Sequence, residues 1–215
     1  MDRYRIVFII PAFNEEMTIG KIVQSLKKYG EVVVVDDASN DLTALHAKSN
    51  GAVVLKNAIN QGYNQSLNIG FSFALENGYD FGITWDADDQ FDLSNIYSIL
   101  PHLSKEVDAV IGYRTDFQRL SEHICAYFFN ILWRIKDPLC GLKAFNLSKF
   151  TPATIIERSF SINTDKLLLL LKNNSNIAQF HVKIKEREGH SRFGTGIKPN
   201  YKILKCLLFS LLLSR

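Results

Sequence analysis

"FGITWDADDQFDLSNI", Phe81–Ile96, runs an apolar stretch into four aspartates: Asp86, Asp88, Asp89 and Asp92. The apolar half has the length and content of a buried strand. In an open α/β sheet, ligands bind in the crevice beyond the carboxyl ends of the strands. A second acidic cluster, Asp36 and Asp37, follows "EVVVV" in the same way. Carboxylates so close together repel one another unless a cation or hydrogen-bond donors lie between them. A hard divalent cation held by Asp86 or Asp88, with phosphate oxygens completing its shell, relieves that repulsion.

Outward from this stretch, strand-like and helix-like patterns alternate. "RIVFII" reads as a first strand, and Ile19, Ile22, Val23 and Leu26 follow at helical spacing, with Asn14 able to cap that helix. "EVVVVDD", "AVVL", "FGITW" and "VDAVIG" read as further strands, separated by helices at about 42–51, 67–78 and 93–103. The alternation predicts an α/β fold with an open, mainly parallel central sheet flanked by helices. Beyond Gly112, residues Ile124, Tyr127, Phe128, Ile131, Leu132 and Ile135 form an apolar helical stripe, "DPLCGLKAF" is a turn into a strand, Leu167–Leu171 lie in a helix, and Phe180, Val182 and Ile184 alternate as in a half-buried strand.

With 215 residues, 47% of them hydrophobic, the chain suits one well-buried domain. Cys125, Cys140 and Cys206 are odd in number and widely spaced, which speaks against a disulfide framework or zinc site and for a reducing, cytoplasmic setting. The five apolar residues before Pro11 are too few for a signal sequence. Residues 181–215 carry eight basic and two acidic side chains, which leaves the first 180 residues with a net charge of −3 within the overall +3. That basic end favours a phosphate-bearing ligand or an anionic membrane surface. No nucleic-acid-binding module is recognisable, so no nucleic-acid partner is expected.

Other readings of the acidic stretch fit less well. An EF-hand starting at Asp86 requires Gly at Phe91 and Glu at Tyr97. A dinucleotide fold requires a Gly-rich first turn, where this chain has "PAFNEE". A phosphatase with Asp86 as nucleophile and a non-catalytic nucleotide-sugar-binding module remain as alternatives from other classes.

"IIPAFNEE", "VVVVDDASND", "NQGYNQSLNIG", "WDADDQ", "DPLCGLKAF" and "REGHSRFG" occur in the order and approximate spacing of family-two glycosyltransferases of the GT-A fold. The chain most resembles the dolichyl- and polyprenyl-phosphate sugar synthases, over residues 4 to about 195. The resemblance implies a GT-A domain at 1–197, with 198–215 a basic apolar helix that lies in a membrane interface or packs on the domain. It implies that Pro11, Ala12, Asn14 and Glu15 lie beside the nucleotide, that Asp36 or Asp37 meets the base with Ser39 nearby, and that Asn60 and Gly62 pass the ribose. Asp86, Ala87 and Asp88 resemble the metal-binding Asp-X-Asp motif, with Mg²⁺ or Mn²⁺ as cofactor and Gln90 as its polar follower. Arg187, Ser191 and Arg192 resemble the basic loop that closes on the phosphates.

The implied reaction is inverting transfer from a UDP- or GDP-linked sugar to a polyprenyl phosphate, by an enzyme peripheral to the cytoplasmic face of a membrane. Transfer to a saccharide hydroxyl is the alternative acceptor chemistry. A phosphate acceptor is already ionised, whereas a hydroxyl needs a carboxylate base within hydrogen-bond reach, for which Asp137 and then Asp165 are the candidates.

Overall fold

The computed structural model describes residues 4–155, 164–185, 200, 201 and 203–208. Strands β1 (Ile6–Ala12), β2 (Glu31–Asp36), β3 (Val53–Lys56), β4 (Phe81–Thr84), β5 (Ala109–Tyr113), β6 (Lys143–Asn146) and β7 (Ile177–His181) form one sheet ordered β3-β2-β1-β4-β6-β5-β7. Every pairing is parallel except those of β6, which runs antiparallel to both β4 and β5. The mainly parallel sheet expected from the alternation is therefore present, with one reversed strand at its centre.

Helices α1 (Ile19–Leu26), α2 (Thr43–Ser49), α3 (Tyr63–Glu76), α4 (Asn95–Ile99), α5 (Leu120–Trp133) and α6 (Asp165–Lys172) cover the two faces. Alternate strand residues sort into two cores, as the two-residue period of a strand requires. Phe8, Ile10, Val32 and Val34 pack with the α1 residues Ile19, Ile22, Val23 and Leu26. Val7, Ile9, Val33 and Val35 pack with Leu67 and Phe71 of α3, Phe129 of α5 and Leu167 of α6.

Several sequence expectations are corrected. Asn14 does not cap α1: its φ is +53°, and Thr18 precedes the helix. The helix expected over 93–103 is α4 followed by a 3₁₀ turn at Leu100–His102, because Pro101 has no N–H to continue the α ladder. The last strand ends at His181. Phe180 and Val182 are buried as expected, but Ile184 is exposed, since the chain leaves β5 and crosses to bridge Phe91.

The apolar stripe on α5 points outward. Its buried face is Ser121, Glu122, Cys125, Ala126 and Phe129, while Tyr127, Phe128, Ile131 and Leu132 are exposed and Ile135 is buried beyond the helix end. Residues 200, 201 and 203–208 are helical, with Ile203, Cys206 and Leu207 buried and Tyr201, Leu204 and Leu208 exposed.

Gly70 sets how closely α3 approaches β1, because a Cβ there would lie 2.3 Å from Ile9 Cγ2. Alanine would gain about 1 kcal/mol in helix propensity, but overpacking of this kind costs about 1–3 kcal/mol. We expect Gly70→Ala to lower the unfolding free energy by up to about 2 kcal/mol in urea titration; a stabilised variant would contradict the close contact.

Candidate active site

Two buried aromatic side chains bracket the acidic turn. Trp85 and Phe91 meet edge to face at 5.6 Å, and Trp85 packs in the same manner on Phe8 at 6.3 Å. Burial of both ends forces the intervening residues to loop out at the carboxyl edge of the sheet. Ala87 is buried within the loop, and its carbonyl accepts from Thr18 Oγ1 at 2.6 Å.

Two of the four aspartates are occupied in holding this turn. Asp89, with φ +56°, accepts from Lys21 Nζ at 2.7 Å and Lys185 Nζ at 3.0 Å. Desolvation pushes its carboxyl up, but the two lysines outweigh that and hold it below the usual range. Asp92 accepts from Ser94 N–H at 2.8 Å, and the Ser94 hydroxyl and then that N–H lower its pKa.

Asp86 and Asp88 stand at the start of the turn. Burial and then the charge of Asp88 push Asp86 up to about 6, against the opposing influence of Tyr63, Lys143 and Arg114. Asp88 Oδ1 accepts from Gln90 N–H at 3.2 Å. Such a mutually repelling pair is what a bound cation would stabilise.

The second cluster lies under the neighbouring loops. Asp36 is fully buried; one oxygen accepts from Ser39 N–H at 3.0 Å, and the other has no hydrogen-bond partner but lies 3.7 Å from Lys56 Nζ. Asp37 accepts from Asn57 Nδ2 at 2.8 Å, Gln61 N–H at 2.8 Å and Gly62 N–H at 2.7 Å, while Asn60 Nδ2 donates to its backbone carbonyl. Pro11 and Ala12 end β1 beside β2, and Asn14 is tied across to the next loop through Ser39 Oγ and Asn40 N–H. Glu15 N–H donates to Thr43 Oγ1 at 2.7 Å. The first loop and the 36–43 loop therefore form one hydrogen-bonded rim.

β6 brings the third part of the site. Because it is antiparallel to β4, its first residue Lys143 pairs with Thr84, the last residue of β4. The turn before β6 thus arrives beside the acidic turn, where a Cβ on Gly141 would lie 2.3 Å from Asp86 Oδ2. Lys143 is fully buried, its Nζ donating to Cys140 O at 2.5 Å, and burial lowers its pKa.

Asp137 is fully buried against Arg114. Its Oδ2 accepts from Arg114 Nε at 2.7 Å and Arg114 N–H at 3.2 Å; its Oδ1 accepts from Arg114 Nη2 at 3.2 Å and Leu139 N–H at 3.1 Å. Although burial alone opposes the charge, Asp137 raises the Arg114 pKa and keeps the guanidinium protonated. Asp165 opens α6 in the other helix layer, 3.4 Å from the Nζ of Lys166, which also donates to Asn68 Oδ1 at 2.7 Å. Arg187, Ser191 and Arg192 lie outside the described residues.

A family model described as "Glycosyl transferase family 2" matches residues 7–136. The chain belongs to glycosyl transferase family 2. The UDP-N-acetylglucosamine–dolichyl-phosphate N-acetylglucosaminyltransferase of Methanococcus voltae is 26% identical, over 94% of each chain. The undecaprenyl-phosphate mannosyltransferase of Micrococcus luteus is 32% identical over 51% of this chain and 48% of that protein. Glucosyl-3-phosphoglycerate synthase from Mycobacterium tuberculosis, solved with Mn²⁺, UDP and phosphoglyceric acid, has the same fold, with a TM-score of 0.73 and 16% identity over 96% of this chain and 78% of that one. The fold is GT-A and the protein is a glycosyltransferase. That replaces both the phosphatase and the non-catalytic alternatives.

In this glycosyltransferase the sequence pattern does not single out Arg114, Lys143 or Tyr63. Arg114 had a usable signal, since it directly follows an apolar strand as the aspartates do. Lys143 reads as a strand residue until β6 is known to be reversed.

Among the described residues, no three His, Cys, Asp or Glu side chains group into a metal cage. A divalent ion would fit here only with two carboxylates and with oxygens from a bound diphosphate, the low-protein coordination usual for Mg²⁺. In metal-free protein, Asp86 binds its proton to a higher pH than an unfolded aspartate does. The contribution of Asp86 to stability should therefore fall as pH rises from about 4 to about 6 and stay lower above. Asp86→Asn should flatten that slope and stabilise the metal-free protein at pH 7 by about 3 kcal/mol. Denaturant titrations at pH 4, 5, 6 and 7 measure this, and an unchanged slope would refute it.

Proposed function

We propose that this glycosyltransferase moves a sugar, with inversion, from a uridine-diphosphate sugar to a polyprenyl phosphate at a membrane surface. The observation that carries the acceptor is the state of Asp137. Each of its oxygens already accepts two hydrogen bonds, so its roughly four lone-pair sites are spent and it sits fully buried. Asp165 is likewise joined to a lysine. With both candidate bases committed to cations, an acceptor that arrives already ionised suits the site better than a sugar hydroxyl. The activities named for the two polyprenyl-phosphate relatives support the same acceptor class.

In this reading a phosphate oxygen attacks the anomeric carbon, and the bond to the diphosphate oxygen breaks with its electron pair leaving on UDP. Pro11, Ala12, Asn14, Glu15, Ser39, Asn60 and Gly62 hold the nucleotide, and Asp37 acts through the 60–62 turn it fixes. Asp86 and Asp88 are the residues that would hold Mg²⁺ or Mn²⁺, which when bound neutralises charge on the leaving diphosphate. Arg114 spends two of its five guanidinium donors on Asp137 through Nε and Nη2, and the fork suits phosphate. Arg187, Ser191 and Arg192 complete the basic side by resemblance.

Asp88→Asn should lower kcat/KM by at least a hundredfold and abolish metal-dependent UDP binding while leaving the fold intact. Transfer assays with undecaprenyl phosphate, undecaprenol and a saccharide acceptor test the acceptor class. Turnover on the saccharide alone, or unchanged turnover in Asp88→Asn, would overturn the assignment.

The outward face of α5 and the outward residues of the C-terminal helical segment support the membrane surface. The two elements meet at their starts, where Ser121 Oγ, on the buried face of α5, donates to Asn200 Oδ1 at 2.5 Å. Among the described residues no helix is long and apolar enough to cross a membrane, so attachment by an apolar face in the headgroup region is the matching mode. Deleting the tail would strip Ile203, Cys206 and Leu207 from the core, so outward substitutions are the cleaner test. Tyr127→Ser, Ile131→Ser and Leu208→Ser combined should weaken binding to anionic vesicles at least tenfold and leave UDP affinity unchanged. Equal co-sedimentation of the folded triple variant and the parent would sink the membrane face.

A further inference from the structure

One oxygen of Asp86 is held by a hydrogen bond and the other lies against Gly141, and neither neighbour is one of the other aspartates. Tyr63 Oη donates to Oδ1 at 2.8 Å, and Oδ2 sits where a Cβ on Gly141 would be, 2.3 Å away. Both walls are fixed by backbone. Tyr63 is the first residue of α3, directly after Gly62, whose φ of +87° suits only glycine and whose N–H is held by Asp37. Gly141 is held by Thr84 Oγ1, which donates to its carbonyl at 2.5 Å.

Packing does not account for Tyr63. It is 39% exposed, yet its polar tip is directed at a carboxylate in the site. A phenol is protonated at neutral pH, so Tyr63 can donate to the carboxylate.

We propose that Tyr63 is a positioning residue that holds the Asp86 carboxylate in one orientation before the cation and the donor diphosphate arrive. This rests on the reading of Asp86 and Asp88 as the metal pair. A ligand fixed in advance loses less freedom on binding, and a hydrogen-bond partner of a ligating carboxylate is worth about 10–100-fold in metal affinity. Tyr63 also links two regions of the site, since the Asp37 carboxylate that fixes Gln61 and Gly62 thereby fixes the residue that orients Asp86.

The test uses the full chain with UDP present and follows free Mn²⁺ by its paramagnetic resonance signal. Tyr63→Phe should raise the Mn²⁺ Kd about tenfold, and transfer activity lost at limiting Mn²⁺ should return as Mn²⁺ is raised. Gly141→Ala, which attacks the other oxygen, should weaken Mn²⁺ binding at least as much. UDP affinity without metal should stay unchanged in both, a result that loss of structure would not produce. If wild-type protein takes up Mn²⁺ and Asp88→Asn does not, but a folded Tyr63→Phe binds like wild type, the positioning role alone is refuted. If wild-type protein shows no Mn²⁺ uptake with UDP, the metal reading falls and this role falls with it.

Discussion

Thr84 and Lys143 face each other across the antiparallel pair of β4 and β6, and the site depends on that pairing. Thr84 Oγ1 donates to Gly141 O and accepts from Lys143 N–H, so the end of one strand and the start of the other are stitched together at a single hydroxyl. A parallel β6 would begin at the opposite edge of the sheet. Reversal is what places Asp137, Gly141 and Lys143 at the carboxyl edge, beside the acidic turn.

Charge is then distributed by burial. The acidic turn concentrates four carboxylates, but Lys21 and Lys185 neutralise Asp89, and Asp92 is engaged by Ser94 N–H. What remains is the pair whose mutual repulsion, together with burial, raises Asp86. Beneath it lie a buried lysine and the Arg114–Asp137 pair. Leaving either charge of that pair alone in the interior would cost several kcal/mol. The glycosyltransferase thus carries an acidic pair on a base of compensated charge, an arrangement that favours a cation and phosphates over an uncharged ligand.

The loops that carry the site follow from the same economy of hydrogen bonds. Asn14 and Glu15 are stapled to Ser39, Asn40 and Thr43, and the 60–62 turn is stapled to Asp37. Short polar side chains replace missing secondary structure at the strand ends, where a buried N–H without a partner would cost about 1–3 kcal/mol. The rim is consequently shaped before any ligand binds.

Much of this was legible in the chain. Apolar runs of strand length marked β1, β2, β4 and β5, because a strand buried on both faces must be apolar throughout, and the aspartates behind "VVVV" and "GITW" marked the ligand edge. The family resemblance was legible too, since it rests on short local motifs. Three matters were left to tertiary structure. The direction of β6 carries no local signature, because a strand as short as Lys143–Asn146 reads the same in either sense. The outward turn of the α5 stripe could not be read from period alone, since both faces of that helix hold apolar residues and only the packing of Cys125 and Phe129 selects the buried one. The side-chain partners of Asp86, Asp89 and Asp137 lie 23 to 96 residues from them in sequence, and only folding could bring such groups into contact.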